Sequence, residues 1–113
     1  MAVNQQLFDR VSEALLDLLV VEEKKMFGGI CFLVDDKLCI CVKNDEILCR
    51  IDPKDFEEVL EREGVRPMRQ SNRTAKGYVY VHADVIKTQQ AFDYWINRAL
   101  TYNKIAKASK KKK

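Results

Sequence analysis

The sequence has no apolar run long enough to cross a bilayer. Stretches such as Ala14 to Leu16 and Leu18 to Val21 are split by Asp17 and closed by Glu22, Glu23, Lys24 and Lys25, far short of the ~20 residues that a spanning helix needs. The opening residues, MAVNQQLFDR, lack a basic stretch followed by an apolar segment and a small-residue cleavage site, so no export signal and a cytoplasmic location are expected. Glycine is scarce as well. Gly28 and Gly29 are adjacent, but a strand follows them, and neither a third nearby glycine nor a GK[ST] motif completes a phosphate cradle. A turn or a close approach of backbone is the expected use of this pair. No repeat and no interdomain linker interrupts the chain. His82 is the only histidine, and nothing nearby identifies an orienting acid or an oxyanion hole to complete a cysteine–histidine catalytic pair. Asp35-Asp36 and Glu22-Glu23 fall at a turn and a helix end, where solvation is a simpler role than acid–base work. The expectation is therefore a protein that is not an enzyme, with no cofactor and no membrane partner.

What is present is charge, unevenly placed. All 17 acidic residues lie at or before Asp93, while six of the 20 basic residues follow Asn103. Residues 1–103 carry 14 basic against 17 acidic residues, a net of −3, and the formal +3 of the chain belongs to its end. One domain over 1–103 with a lysine-rich tail over 104–113 is the expected organisation, and 113 residues suffice for a single core.

Hydrophobic spacing orders the elements. Val3, Leu7, Val11, Leu15 and Leu18 make one stripe of an amphipathic helix over 3–21. Ile30 to Val34, Leu38 to Val42 and Ile47 to Ile51 read as three strands joined by short polar turns, hence two antiparallel hairpins. Asp52-Pro53 opens a second helix through Phe56, Val59 and Leu60 that stops near Gly64. A short edge strand near Met68 to Ser71, a strand over Tyr78 to Ala83, and a last helix capped by Thr88 and carrying Phe92, Trp95, Ile96, Ala99 and Leu100 complete the order α-β-β-β-α-(β)-β-α. The fold class is α+β, an antiparallel sheet with flanking helices in two layers.

Four cysteines, at 31, 39, 41 and 49, would suffice for tetrahedral zinc. The spacing opposes it: Cys39 and Cys41 fall within one strand, pointing the same way about 7 Å apart if it is extended, and Cys49 has the opposite parity relative to its own strand. Free thiols serving as small buried hydrophobes are expected, with no metal.

The segment from Gly64 to Ala83 holds Arg66, Arg69, Arg73 and Lys76 and no acid. Interleaved with Gln70, Ser71 and Asn72, it reads either as a surface for phosphate or an acidic protein face, or as a solvated loop whose cations pair with Glu58, Glu61 and Glu63 of the second helix. Lys110, Lys111, Lys112 and Lys113 could hold phosphate backbones without reading bases, or simply solvate the end. Protein partners are the leading expectation and nucleic acid the alternative; an open strand edge would also permit a homodimer.

Met26-Phe27-Gly28-Gly29, the acidic turn Asp35-Asp36, Asn44-Asp45, Leu48 and Arg50, then Gly64 with Pro67, the strand Gly77 to Tyr80, and Trp95 with Ala99 resemble the N-terminal domain of the TfoX/Sxy family over about residues 7 to 102. That resemblance implies a small two-layer domain of secretion-chaperone-like architecture. It also implies a bacterial, non-enzymatic protein-binding role in transcriptional regulation of DNA-uptake competence, exercised with the cyclic-AMP receptor protein. The family offers no catalytic residues to carry over. This chain ends in lysines where the family's helical second domain would begin, has Met68 where an aromatic is usual, and lacks the usual proline before the last helix.

Overall fold

The computed structural model describes residues 4–18, 21–26, 28–70 and 73–106. The expectations placed on Val3, Phe27, Ser71, Asn72, Lys107 and Lys110 to Lys113 lie outside them.

Asn4 caps α1 (Gln5–Ala14), its side-chain oxygen accepting from Leu7 N–H at 3.0 Å. Leu7, Val11 and Leu15 are buried, as their spacing demands. The helix ends a full two turns earlier than its stripe suggested, in a turn over 15–17 that leaves Leu16 75% exposed. The chain then enters a strand that periodicity did not announce, β1 (Val21–Met26). β1 lies at the sheet edge with five exposed residues, so VEEKKM has no reason to alternate apolar with polar.

β2 (Gly29–Val34), β3 (Lys37–Lys43) and β4 (Glu46–Arg50) form the two expected hairpins. In the first turn Asp35 and Asp36 take φ of 54° and 66°, the left-handed pair that matches the twist of a tight hairpin. Gly28 also has positive φ, 77°, and a side chain on Gly29 would collide with the Val42 carbonyl. The adjacent glycines thus allow β2 to leave its turn and lie against β3.

After a capped 3₁₀ turn over Pro53–Asp55 comes α2 (Phe56–Val59), then β5 (Val65–Gln70), β6 (Arg73–His82) and α3 (Gln89–Asn103). The Thr88 hydroxyl caps α3 by accepting from Ala91 N–H at 3.1 Å. β5 and β6 both begin earlier in sequence than their apolar residues indicated, making one long hairpin where a basic loop was expected. The result is an α+β domain with a six-stranded antiparallel sheet in the order β1-β2-β3-β4-β6-β5.

The sheet buries both faces. On one, α1, α2 and α3 cover Phe32, Ile40, Val42, Ile47, Val79 and Val81, with Phe92 and Trp95 at the centre of the helix layer. On the other, Cys31, Leu38, Cys41, Leu48, Met68 and Tyr80 form a smaller cluster built wholly from strands. Strict alternation along β3 predicts that Leu38, Ile40 and Val42 share a face. The register instead slips, pairing Phe32 with Ile40 and Leu33 with Leu38, so Cys39 is an extra residue. A bulge of this kind turns two successive side chains to the same side. Cys39 joins Ile40 in the helix-side core, and Leu38 crosses to the strand-only cluster.

That slip, with the hairpin register, corrects the reading of the thiols. Cys31 and Cys41 sit directly opposite one another on β2 and β3 and are joined in a disulfide, whereas Cys39 and Cys49 remain free and buried on the helix side. Cys39 and Cys41 therefore do not point the same way. The expectation of four free cysteines fails because a ten-residue separation in sequence does not disclose direct cross-strand pairing.

Candidate functional site

The exposed cations of the β5–β6 hairpin are the candidate site. Met68, 4% exposed, is packed into the strand-only cluster and anchors β5 from below. Its neighbours therefore project from a fixed strand. Arg66 lies opposite Tyr80, with its guanidinium carbon 4.4 Å from the ring centre. It donates Nε and Nη2 to the Glu46 carboxylate at 2.9 and 2.7 Å, and this hydrogen bond raises its pKa. Glu46 at the start of β4, not the glutamates of the α2 region, neutralises this arginine. Among the described residues, no ion pair holds Arg69, Arg73 or Lys76, and all three are exposed. Arg69 stands opposite Thr74 and Arg73 opposite Gln70, which brings both arginines to the last rungs of the hairpin.

The end of α3 bears on the lysines. Asn103, buried at the end of α3, donates Nδ2–H to the Val34 carbonyl at 3.2 Å. Strand directions put Val34 at the same end of the sheet as the β5–β6 turn. Thus α3 ends at the same end of the sheet as Arg69 and Arg73, on the β2 side. Lys110, Lys111, Lys112 and Lys113 themselves lie outside the described residues.

The alternative chemistry, a thiol with His82, has a different geometry. His82 uses Nδ1 to accept from Asp84 N–H at 3.0 Å and lies opposite Glu46. Cys49 lies opposite Val79, three positions along β6, about 10 Å away at strand spacing. Burial pushes the Cys39 thiol up to about 12, against the opposing charge of Arg50, and burial likewise raises Cys49. Both free thiols are therefore held protonated at neutral pH. The groove beside His82 is lined by Asn4, Arg10, Asp45, Asp84 and Lys87, yet its polar groups tie elements together. Arg10 donates to the Ile86 carbonyl at 2.8 Å while stacked 4.1 Å over Phe92, and Asn4 donates to Asp45 at 3.0 Å. Among the described residues, no group of three or more His, Cys, Asp or Glu side chains gathers as a metal site.

Sequence reasoning missed two participants. Glu46 gave no signal, since its partner Arg66 is twenty residues away and meets it only through the β4-β6-β5 order. Arg50 was visible as a charge on an otherwise apolar strand. Its guanidinium lies between Tyr78 and Tyr102, 5.6 and 5.7 Å from their ring centres, with Nη1 buried and without a hydrogen-bond partner among the described residues.

An antiparallel six-stranded sheet, three helices on one face and a cationic hairpin at one edge define a small α+β domain without an assembled catalytic set among the described residues. The model of the TfoX N-terminal domain matches residues 13–102, and the chain belongs to that family. Among solved structures it is similar to the crystal structure of a protein from Pseudomonas syringae. That likeness has a TM-score of 0.61 at 13% identity and covers 88% of this chain and 98% of that one, which supports the fold alone. No curated protein matches the chain.

Proposed function

We propose that this TfoX N-terminal-family domain is a non-enzymatic binding module that docks on an acidic protein surface through Arg69, Arg73 and Lys76. The observation that carries this reading is the contrast inside the hairpin. Arg66 is committed to Glu46, whereas the cations nearer the turn are exposed on a strand anchored by Met68. A pre-ordered strand loses less freedom on docking than a loop would. The strand-only face favours no rival site among the described residues, because its six core residues are at most 6% exposed. The two protonated, buried thiols argue in the same direction against nucleophilic catalysis. A role in transcriptional or competence regulation is what such a module would serve.

The second reading, nucleic-acid binding by the same cations, is favoured by the end of α3 lying at the hairpin end of the sheet. The net charge of −3 over residues 1–103 works against it. Affinity purification with wild type and an Arg69→Glu/Arg73→Glu variant, each with and without nuclease, separates the two. Partners lost in the variant but retained after nuclease support protein docking, and partners lost to nuclease support the second reading. Identical recovery from wild type and variant contradicts both.

A further inference from the structure

The two open edges of the sheet are built differently, and the hydrogen-bond phase of the sheet shows how. Ile51, at the end of β4, donates N–H to the Gly77 carbonyl at 2.7 Å. Ile51, Cys49 and Ile47 therefore turn their backbone groups toward β6, and Leu48 turns its own toward β3. Leu48 is opposite Cys41, Ile30 opposite Val42, and Lys24 opposite Cys31. Alternation carried through these registers leaves Glu22, Lys24 and Met26 bonded to β2, and Val21, Glu23 and Lys25 with N–H and C=O directed away from the sheet. On the far edge, His82 N–H donates to the Gly64 carbonyl at 2.9 Å, so Arg66 bonds β6 and Pro67 occupies an outward position. β5 is thus blocked where it would donate, has an irregular register beside Pro67, and carries cations only. Those are devices that deter strand addition. β1 has no proline and no bulge, and it carries both signs of charge.

We infer that β1 is the pairing edge for a second copy of this chain, the two β1 strands running antiparallel about a two-fold axis through Glu23. Such an axis, perpendicular to the sheet, keeps every side chain on its own face and pairs only residues of matching phase. Centred on Glu23, it uses all three outward residues, Val21 and Lys25 of one copy facing Lys25 and Val21 of the other. On the order of six backbone hydrogen bonds then join two six-stranded sheets into one. Glu22 of each copy meets Lys24 of the other at the closely spaced positions, where side chains interact most strongly. The one like-charged pair, Glu23 with Glu23, falls at the wider spacing with Lys25 of the opposite copy on the diagonal. Centred on Lys24, the axis would set lysine against lysine at the close position.

Sedimentation velocity of the full chain across a concentration series tests the inference. Wild type is expected to be a dimer that dissociates on the order of micromolar concentrations, as a small interface does. Glu23→Pro removes only an outward N–H, so it should give a monomer with unchanged circular dichroism. Lys24→Glu should weaken the dimer about tenfold or more, and Glu22→Lys/Lys24→Glu should restore it to within about threefold. A wild type that stays monomeric, a folded Glu23→Pro dimer, assembly beyond the dimer, or a charge swap that fails to restore pairing each overturns the inference. Should Glu23→Pro not fold, the charge swap decides alone.

Discussion

The two faces of this sheet hide their apolar residues by different means. The helix-side core draws on every helix and on β2, β3, β4 and β6, and it encloses both free thiols. The opposite cluster has strand residues alone, and across its first hairpin it is tied by the Cys31–Cys41 disulfide. A face without a helix layer keeps its burial through strand side chains alone: Met26, Leu33, Ala75 and Tyr78 pack around it, and Arg66 and Lys43 lie over the Tyr80 ring. The difference teaches that this sheet can bury core residues on both faces while its edges stay open for recognition.

The contrast can be broken at four points. The largest effect is expected on the helix side: Trp95→Ala, at a residue 4% exposed, should lower unfolding free energy by about 3–5 kcal/mol in a denaturant titration. Next is alkaline pH. The Cys39 pKa is raised from 9.0 to about 12, so the folded state retains a proton that the unfolded state releases. Its contribution is fully present below pH 9.0 and is lost as pH rises toward about 12. The loss from this thiol should be on the order of 4 kcal/mol, and a Cys39→Ala variant should show a correspondingly shallower decline, the part due to the buried Cys49 remaining. On the strand-only face, Cys31→Ala/Cys41→Ala should cost about 2–3 kcal/mol through the entropy of the opened hairpin, read as a lower midpoint in nonreducing denaturant. A smaller effect, about 1–2 kcal/mol, is expected from Asn103→Ala, which removes the buried amide's hydrogen bond to the Val34 carbonyl at the end of α3.

Much of this architecture was legible because local rules agree. The hairpin Ile30 to Val42 shows its apolar runs and its acidic turn, Asn4 does not hide the stripe of Leu7 and Val11, and Thr88 and Asp52 announce the helices they cap. β1 was not legible, since a doubly exposed edge strand has no periodicity to show. The disulfide and the sidedness of Leu38 were hidden for one shared reason: both depend on pairing register, and the bulge at Cys39 changes parity midway along β3. The candidate site was half legible. Arg69, Arg73 and Lys76 stand exposed as their composition implied, but the choice of Glu46 as partner for Arg66 is a product of strand order, which spacing along the chain does not encode.

The claim underlying this account is that the cysteines serve the scaffold and leave recognition to the surface. Titration with a chromogenic thiol reagent tests it most directly. The account predicts no reactive thiol in the native protein at neutral pH, two after unfolding without reductant, and four after reduction. A thiol that reacts rapidly in the native state would contradict it.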